Sequence, residues 1–386
     1  MQLEEFQKDP LGAMMYAERF VNQRNYSEFC NQSEVLPRYW PQNVEQPFSL
    51  PHLSSSPDGT HTNGRHLLVN HLKKNPFFFV HPDSGYPFET QSGKFAAIPT
   101  ASMRTLLLQG WHSKPIFVKT SLPKRISRFT RELDESALLH SLRVSNKIER
   151  FCRKRKEFAL LRDFGGTSFQ KVGCLYRDTL AGPKQLQHSH LIPAFSLYSR
   201  DKKRPQEDTL LSQLAKANGT SEKRLAQWIL ETTTEYWCEA AIQTGCLLEF
   251  HGQNTLVETD AEFRPQRIVA RDFSSVRIDG AFVFEPETPI QTRKVIGKGS
   301  NFGLEQEYSL SFDFFMCHHF FQPLIEHACN GDASGRAELE NCVKSTFESY
   351  FKNSNKFPTQ AYGYANKAFG SEKPELEVVW KSSPFR

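Results

Sequence analysis

The stretch Glu249-Phe250-His251-Gly252-Gln253-Asn254 puts a carboxylate, an imidazole and two side-chain amides within six residues. Downstream, Arg271-Asp272-Phe273 sets a second charged pair in apolar surroundings. Between them, Thr255-Leu256-Val257-Glu258 and Arg267-Ile268-Val269-Ala270 are β-rich runs separated by a polar stretch with Pro265, which predicts an antiparallel pair. With the turn centred near Glu262-Phe263, Asn254 faces Asp272 across the ladder, with Cβ atoms about 5 Å apart. An amide oxygen and a carboxylate at that separation suit a hard cation such as Mg²⁺, with phosphate oxygens completing its shell. A buried, hydrogen-bonded hairpin without metal fits the same spacing, and the residues alone do not choose between the two. In a regular strand Glu249, His251 and Gln253 share one face while Asn254 takes the other. All four converge only if the backbone bends, and Gly252 is the residue that would permit it.

Three further clusters carry donors suited to phosphate oxygens. Ser102, Arg104 and Thr105 lie within Pro99–Leu106, Lys119 ends Pro115–Lys119, and Arg125–Arg131 holds Ser127 and Arg131. Each is flanked by apolar residues, as strand ends are, and Ser, Thr, Lys and Arg are the side chains that hold phosphates. A basic, solvated sheet face is the alternative reading.

Around these residues, Leu225, Trp228, Ile229, Tyr236, Ala240 and Leu247 form a helical stripe that starts near Thr220–Leu225 and leads to Gly245 and the central motif. Residues 136–160 read as helix, and Lys147–Lys156 as its charged face, because aromatics are not interleaved as a nucleic-acid surface requires. Phe77-Phe78-Phe79-Val80 reads as a buried strand running into a turn at His81-Pro82. Asp163-Phe164-Gly165-Gly166 matches a kinase triplet, but no glycine-rich loop or His-Arg-Asp element accompanies it, so nothing is built on it. Gly297–Gly303 is glycine-rich without phosphate-loop spacing and reads as a mobile loop. His318-His319 sit on an apolar helix and are expected to pack or bond locally. The first 65 residues suggest a short helix over Asp9–Gln23 and display no chemistry.

The chain has 386 residues, 38% hydrophobic and 24% charged, with 32 Phe: a globular composition with room for two or three lobes. We divide it at 1–70, 71–205 and 206–386. The net charge of +5 suits a small anionic ligand better than an extended nucleic-acid footprint. No apolar run approaches the length of a membrane span, and the N-terminus lacks the order of a secretory signal. The eight cysteines include no Cys-x-x-Cys pair; Cys317 beside His318-His319 is the one suggestive cluster. Free thiols in a cytoplasmic protein are expected.

The order of Phe79-Val80-His81-Pro82, Ala101-Ser102-Met103-Arg104-Thr105, Val118-Lys119 with Arg131 beyond, Leu248–Asn254 and Arg271-Asp272-Phe273 resembles the siderophore synthetases that act independently of non-ribosomal peptide synthetases, the family of the aerobactin synthetases. The resemblance spans about residues 70–386, and its specific part is Glu-x-His-Gly-Gln-Asn with the downstream Arg-Asp-Phe. It implies an α+β cupped-hand fold, with a mixed or antiparallel sheet as palm and a helical C-terminal lobe. It also implies an ATP- and Mg²⁺-dependent ligase that activates citrate or a related acid as an acyl-adenylate for attack by an amine, hydroxylamine or alcohol. Carried over by motif, Ser102, Arg104, Thr105, Lys119 and Arg131 would hold phosphates or carboxylates. His251 would meet the α-phosphate, Lys119 and Arg131 would share its catalytic task, and Glu249, Asn254 and Asp272 would serve the metal. Ser127, where many relatives have Thr, and Arg177 are substrate-anchor candidates.

Full members carry a longer N-terminal region, and nothing like its His-Pro-rich element precedes Phe77. We therefore expect dependence on a second copy of the chain or on a partner synthetase subunit. The alternative function is a non-catalytic or split subunit lacking the closure region. A nucleic-acid-binding role for residues 147–156 is the third reading.

Overall fold

The computed structural model describes residues 1–23, 33–64, 67–126, 129–282, 295–296, 303–352, 354–366 and 376–386. Ser127 and nearly all of the Gly297–Gly303 loop lie outside these described residues.

Ten strands form one mixed sheet. In chain order they are β1 (Phe48–Ser49), β2 (Gly59–Thr62), β3 (Ala96–Pro99), β4 (Thr105–Gln109), β5 (Ile116–Lys119), β6 (Phe158–Phe169), β7 (Val172–Gly182), β8 (His190–Pro193), β9 (Thr255–Thr259) and β10 (Pro265–Ala270). Their spatial order is β1-β3-β4-β5-β7-β6-β10-β9-β8, with β2 pairing to β6. Every pairing is antiparallel except β6 with β10. The β9–β10 hairpin, from the second half of the sequence, is thus inserted between β6 and β8 from the first.

The long β6–β7 hairpin is closed by Gln170 and Lys171, both with positive φ (48° and 65°), the twist-matched geometry of a two-residue turn. Alternation sorts the two sheet faces. Leu106, Leu108, Val118 and Tyr176 point into one apolar layer with Phe78, Phe79 and Trp111. Leu107, Phe117, Leu161 and Ile268 point into the larger layer beneath the helices. Phe77–Val80 is not a strand: it is extended, joined to its neighbours by an isolated bridge from Phe79 to His52 and by hydrogen bonds from Leu53 N to the Phe78 carbonyl and from Val80 N to the Pro51 carbonyl, and its rings pack against Phe95 and Tyr176.

Four helices matter for the site. Helix α1 (Pro10–Phe20) is capped by the Asp9 carboxylate, which accepts from Gly12 N, and matches the helix expected there. Helix α2 (Glu135–Cys152), capped by Asp134, packs on β6 so tightly that a Cβ on Gly166 would lie 2.5 Å from Leu138 Cδ1 and 2.7 Å from the Cys174 carbonyl. Helix α3 (Glu222–Thr244) buries the predicted stripe, including Leu225, Ile229, Tyr236 and Ala240, and ends at Gly245 with φ 70°. Helix α4 (Ala333–Phe351) packs against α3 in the C-terminal lobe, beside a π-helical segment over Leu310–Phe321. Among the described residues no helix is long and apolar enough to cross a membrane.

Within the basic run 147–156, Arg153 pairs with Glu149 and Arg155 with Glu239. That agrees with a solvated helix face.

Candidate active site

Lys119, the last residue of β5, lies directly opposite Thr105 of β4 and Leu175 of β7. Opposed residues of an antiparallel pair share a face, so Lys119, Thr105 and, two residues along β7, Arg177 all project from the same side of the sheet. Arg177 in turn stands opposite Asp163 of β6, where the ladder is irregular on both sides. Asp163 is fully buried and accepts from Arg177 Nε at 2.6 Å and from Ser141 Oγ of α2 at 2.7 Å. The triplet dismissed in the sequence therefore supplies the carboxylate that fixes Arg177.

The chain leaves β10 through Arg271 and reaches Asp272, whose φ of 68° is left-handed. That turn swings the Asp272 carboxylate to the sheet face. Its Oδ1 accepts from Lys119 Nζ at 2.5 Å, Ser274 Oγ at 3.2 Å and Arg177 NH2 at 3.4 Å. Lys119 Nζ also donates to Ser274 Oγ at 2.7 Å. Nearby, Arg104 donates to the carbonyls of Arg131 at 2.5 Å and Glu132 at 3.1 Å.

The electrostatics follow from burial and from the excess of cations. Burial pushes the Lys119 ammonium down to about 7; Asp272 opposes this, while Arg104 and Arg177 reinforce it. Burial likewise lowers Arg104 to about 10, again against Asp272 and with Arg131. Burial would raise Asp272, but Lys119 and Arg177 override it and hold its carboxyl well below the usual range. The cluster is thus a set of cations gathered on one internal carboxylate, which suits added anionic oxygens.

Glu249–Asn254 is a turn, not a strand. His251 N donates to the Glu249 carbonyl, Asn254 N to the His251 carbonyl, and Gln253 N to His251 Nδ1 at 3.2 Å. The expected bend is present, but Gly252 serves it by close approach: an added Cβ would lie 2.7 Å from Tyr198 Oη and 3.2 Å from Phe195 Cβ. The half-buried His251 ring lies 6.1 Å from that of Phe315, centroid to centroid.

The hairpin register is displaced by one residue from the expectation. Thr255 pairs with Ala270, and Arg271 N donates to the Asn254 carbonyl at 3.0 Å, so Asn254 stands opposite Arg271. The physical reason lies at the closed end of the hairpin, where the ladder shifts between Glu258 and Thr259, Thr259 pairs with Pro265 and Phe263 turns left-handed at φ 64°. Glu249 is bound by Arg277 at 2.9 Å and Ser275 Oγ at 2.8 Å. No group of three or more His, Cys, Asp or Glu that could hold a metal occurs among the described residues.

Ser102 and Arg104 lie in the loop between β3 and β4. It is fixed by a buried His81, pushed down to about 4 by burial, whose Nε2 lies 3.2 Å from the Met103 carbonyl. The other anchor is Glu18 of α1, fully buried, which accepts from Ala101 N at 2.8 Å and pairs with Arg271. Sequence reasoning overlooked Glu18, although a carboxylate inside Ala13-Met14-Met15-Tyr16-Ala17-Glu18 was the available signal. It also overlooked Ser274 and set Asp163 aside. Two cavities flank α1, of about 550 Å³ beside Tyr16, Arg19 and Gln109 and about 250 Å³ beside Met14, Leu180 and Leu191; neither is lined by Lys119, His251 or Asp272.

The IucA / IucC family model matches residues 83–199, and the ferric iron reductase FhuF-like transporter model matches residues 223–367. Among curated proteins none matches the sequence. Aerobactin synthetase IucA from a hypervirulent Klebsiella pneumoniae pathotype, in an ATP-bound structure, is 13% identical with a TM-score of 0.65, covering 99% of this chain and 83% of that one. The petrobactin biosynthesis protein AsbB from Bacillus anthracis str. Sterne is 15% identical with a TM-score of 0.63, covering 90% and 69%. Aerobactin synthetase IucC from the same Klebsiella pathotype is 13% identical with a TM-score of 0.60, covering 84% and 67%. These likenesses bear out the mixed-sheet α+β fold, and the two family models, over residues 83–199 and 223–367, support the resemblance to siderophore synthetases that act independently of non-ribosomal peptide synthetases.

Proposed function

We propose that the protein is an ATP-dependent ligase that joins a carboxylic acid, citrate or a similar polycarboxylate, to an amine, hydroxylamine or alcohol in siderophore biosynthesis. The observation that carries this reading is the convergence of Lys119, Arg177 and Ser274 on Asp272 Oδ1, with Arg104 beside them. Donors already aimed at one half-buried carboxylate oxygen are preorganised for phosphate or carboxylate oxygens, the main requirement of adenylation.

In the first step a substrate carboxylate oxygen attacks the α-phosphorus of ATP, and the bond to the bridging oxygen breaks to release pyrophosphate. Lys119, Arg104 and Arg177 offset the charge on the phosphates, with Ser102, Thr105 and Arg131 as further donors at the same sheet end. His251 stands at the neighbouring turn to stabilise the developing α-phosphate charge. In the second step the nucleophile attacks the acyl carbon, AMP leaves, and the nucleophile's proton is taken up by a base.

Mg²⁺ fits less well as a resident ion. Glu249 is occupied by Arg277, Asp272 by Lys119 and Arg177, and Asn254 is opposite Arg271. The metal is accordingly read as arriving with the triphosphate, which suits its habit of keeping waters and phosphate oxygens.

The test is pyrophosphate release with ATP, Mg²⁺ and a panel of polycarboxylic acids, with hydroxylamine as a generic acceptor. Acid-dependent release that falls sharply in Lys119→Ala is expected. No release with any acid, from a protein that still binds ATP, would favour the partner-subunit reading.

A further inference from the structure

We propose that the Glu18–Arg271 pair is the positioning element of the site, through which helix α1 holds all three motif segments in one arrangement. The claim about catalysis rests on the ligase reading; the claim about positioning does not.

The Glu18 carboxylate has one oxygen on Arg271 NH2 and the other 2.8 Å from Ala101 N. Arg271 Nε donates to the Gln253 carbonyl at 2.8 Å, and Arg271 N to the Asn254 carbonyl at 3.0 Å. One ion pair therefore touches the loop carrying Ser102 and Arg104, the turn carrying His251 and Asn254, and the chain one residue before Asp272. Both side chains are buried, Glu18 fully and Arg271 almost so.

A buried pair of this kind contributes little net stability against an apolar replacement, but removing one partner strands a charge that has no water to solvate it. What it supplies is geometry. Arg271 presents a planar fork whose separate N–H groups meet Glu18 and Gln253 in fixed directions. The left-handed Asp272 follows immediately, so any rotation of Arg271 moves the carboxylate that Lys119 and Arg177 meet. Glu18 itself cannot drift, because the helix that carries it is seated on the core by Met14, Met15 and Ala17.

The test compares the full-length protein with Glu18→Gln, Glu18→Asp and the control Phe6→Leu, a buried core position away from the motifs. Hydrogen–deuterium exchange is read over residues 100–105, 251–256 and 270–274, alongside ATP affinity and pyrophosphate release, at a temperature where each protein is fully folded. Glu18→Gln should speed exchange in all three segments together and weaken ATP binding or turnover by about tenfold or more. Glu18→Asp should recover part of both, and Phe6→Leu should leave both at wild-type values. Faster exchange confined to residues 10–23, with kinetics unchanged, would overturn the proposal. Should Glu18→Gln fail to fold, Glu18→Asp and Arg271→Lys are read in the same way, and wild-type exchange in the three segments would equally overturn it. Coupled faster exchange in Glu18→Gln, together with a wild-type protein that binds no ATP, would sink the ligase reading and leave the positioning role standing.

Discussion

Lys119 Nζ and Asp272 Oδ1 lie 2.5 Å apart although 153 residues separate them in the chain. The first ends a strand of the β-rich half and the second follows the last strand of the sheet. Their contact brings the two recognisable parts of the sequence onto one point.

Anion binding should depend on pH through Lys119. In the free protein burial holds its ammonium at about 7, and a bound phosphate would raise it. The charged form's contribution is therefore fully present below about 7 and is lost as pH rises toward the higher value of the complex. The dissociation constant of ATP, measured from about pH 6 to about pH 9, should increase with pH, and Lys119→Met should flatten that dependence. A slope retained in the variant would assign the titration to another group.

Asp272→Asn should separate counter-ion from catalytic roles. Asn tolerates the left-handed φ, so the backbone is retained. Removing the carboxylate leaves Lys119 and Arg177 without their shared partner, so inorganic pyrophosphate should bind more tightly while acid-dependent pyrophosphate release is lost. Calorimetry with pyrophosphate alone checks the first half; weaker binding would contradict it.

Asp163→Ala should unseat Arg177. Its carboxylate is the closest partner of that buried guanidinium, and removing one member of a buried pair costs about 3 kcal/mol or more. Urea denaturation should show the loss, and a variant as stable as wild type would mean that Arg177 finds water.

Gly252→Ala should destabilise the protein by about 1–3 kcal/mol, because the new methyl would overlap Tyr198 Oη. Tyr198→Phe removes that oxygen, so the double variant should regain part of the loss. The thermal midpoints of the four proteins complete the cycle; strict additivity would exclude this contact as the cause.

Mg²⁺ alone should leave the thermal midpoint unchanged, whereas ATP with Mg²⁺ should raise it by mass action. A shift with the metal alone would point to a resident site.

Much of this arrangement was legible in the sequence because it depends on local pattern. The helix over Glu222–Thr244, the β9–β10 pair and the donors on Lys119 and Arg104 follow from periodicity and residue type, whereas Arg177 came only from the family resemblance. The register did not, since the irregularity between Glu258 and Thr259 and a left-handed Phe263 in the connecting turn decide it, and Phe gives no signal for that conformation. Glu18 stood out as a carboxylate in an apolar helix, but its role was hidden for a different reason: it lies in Arg271, and only the fold reveals that distant partner. Phe77–Val80 misled because a run of aromatics is as suited to packing rings as to pairing strands.

The insertion of β9–β10 between β6 and β8 has a consequence for biosynthesis. As the chain leaves the ribosome, β6 emerges long before its parallel neighbour β10, and β8 long before β9. Until residues 255–270 arrive, two strands of the nascent chain present unpaired backbone edges, the surfaces on which other extended chains add. A truncated or slowly translated message would therefore yield a sticky intermediate instead of a smaller soluble unit, and cutting the chain near residue 205 would give two fragments that fold only together.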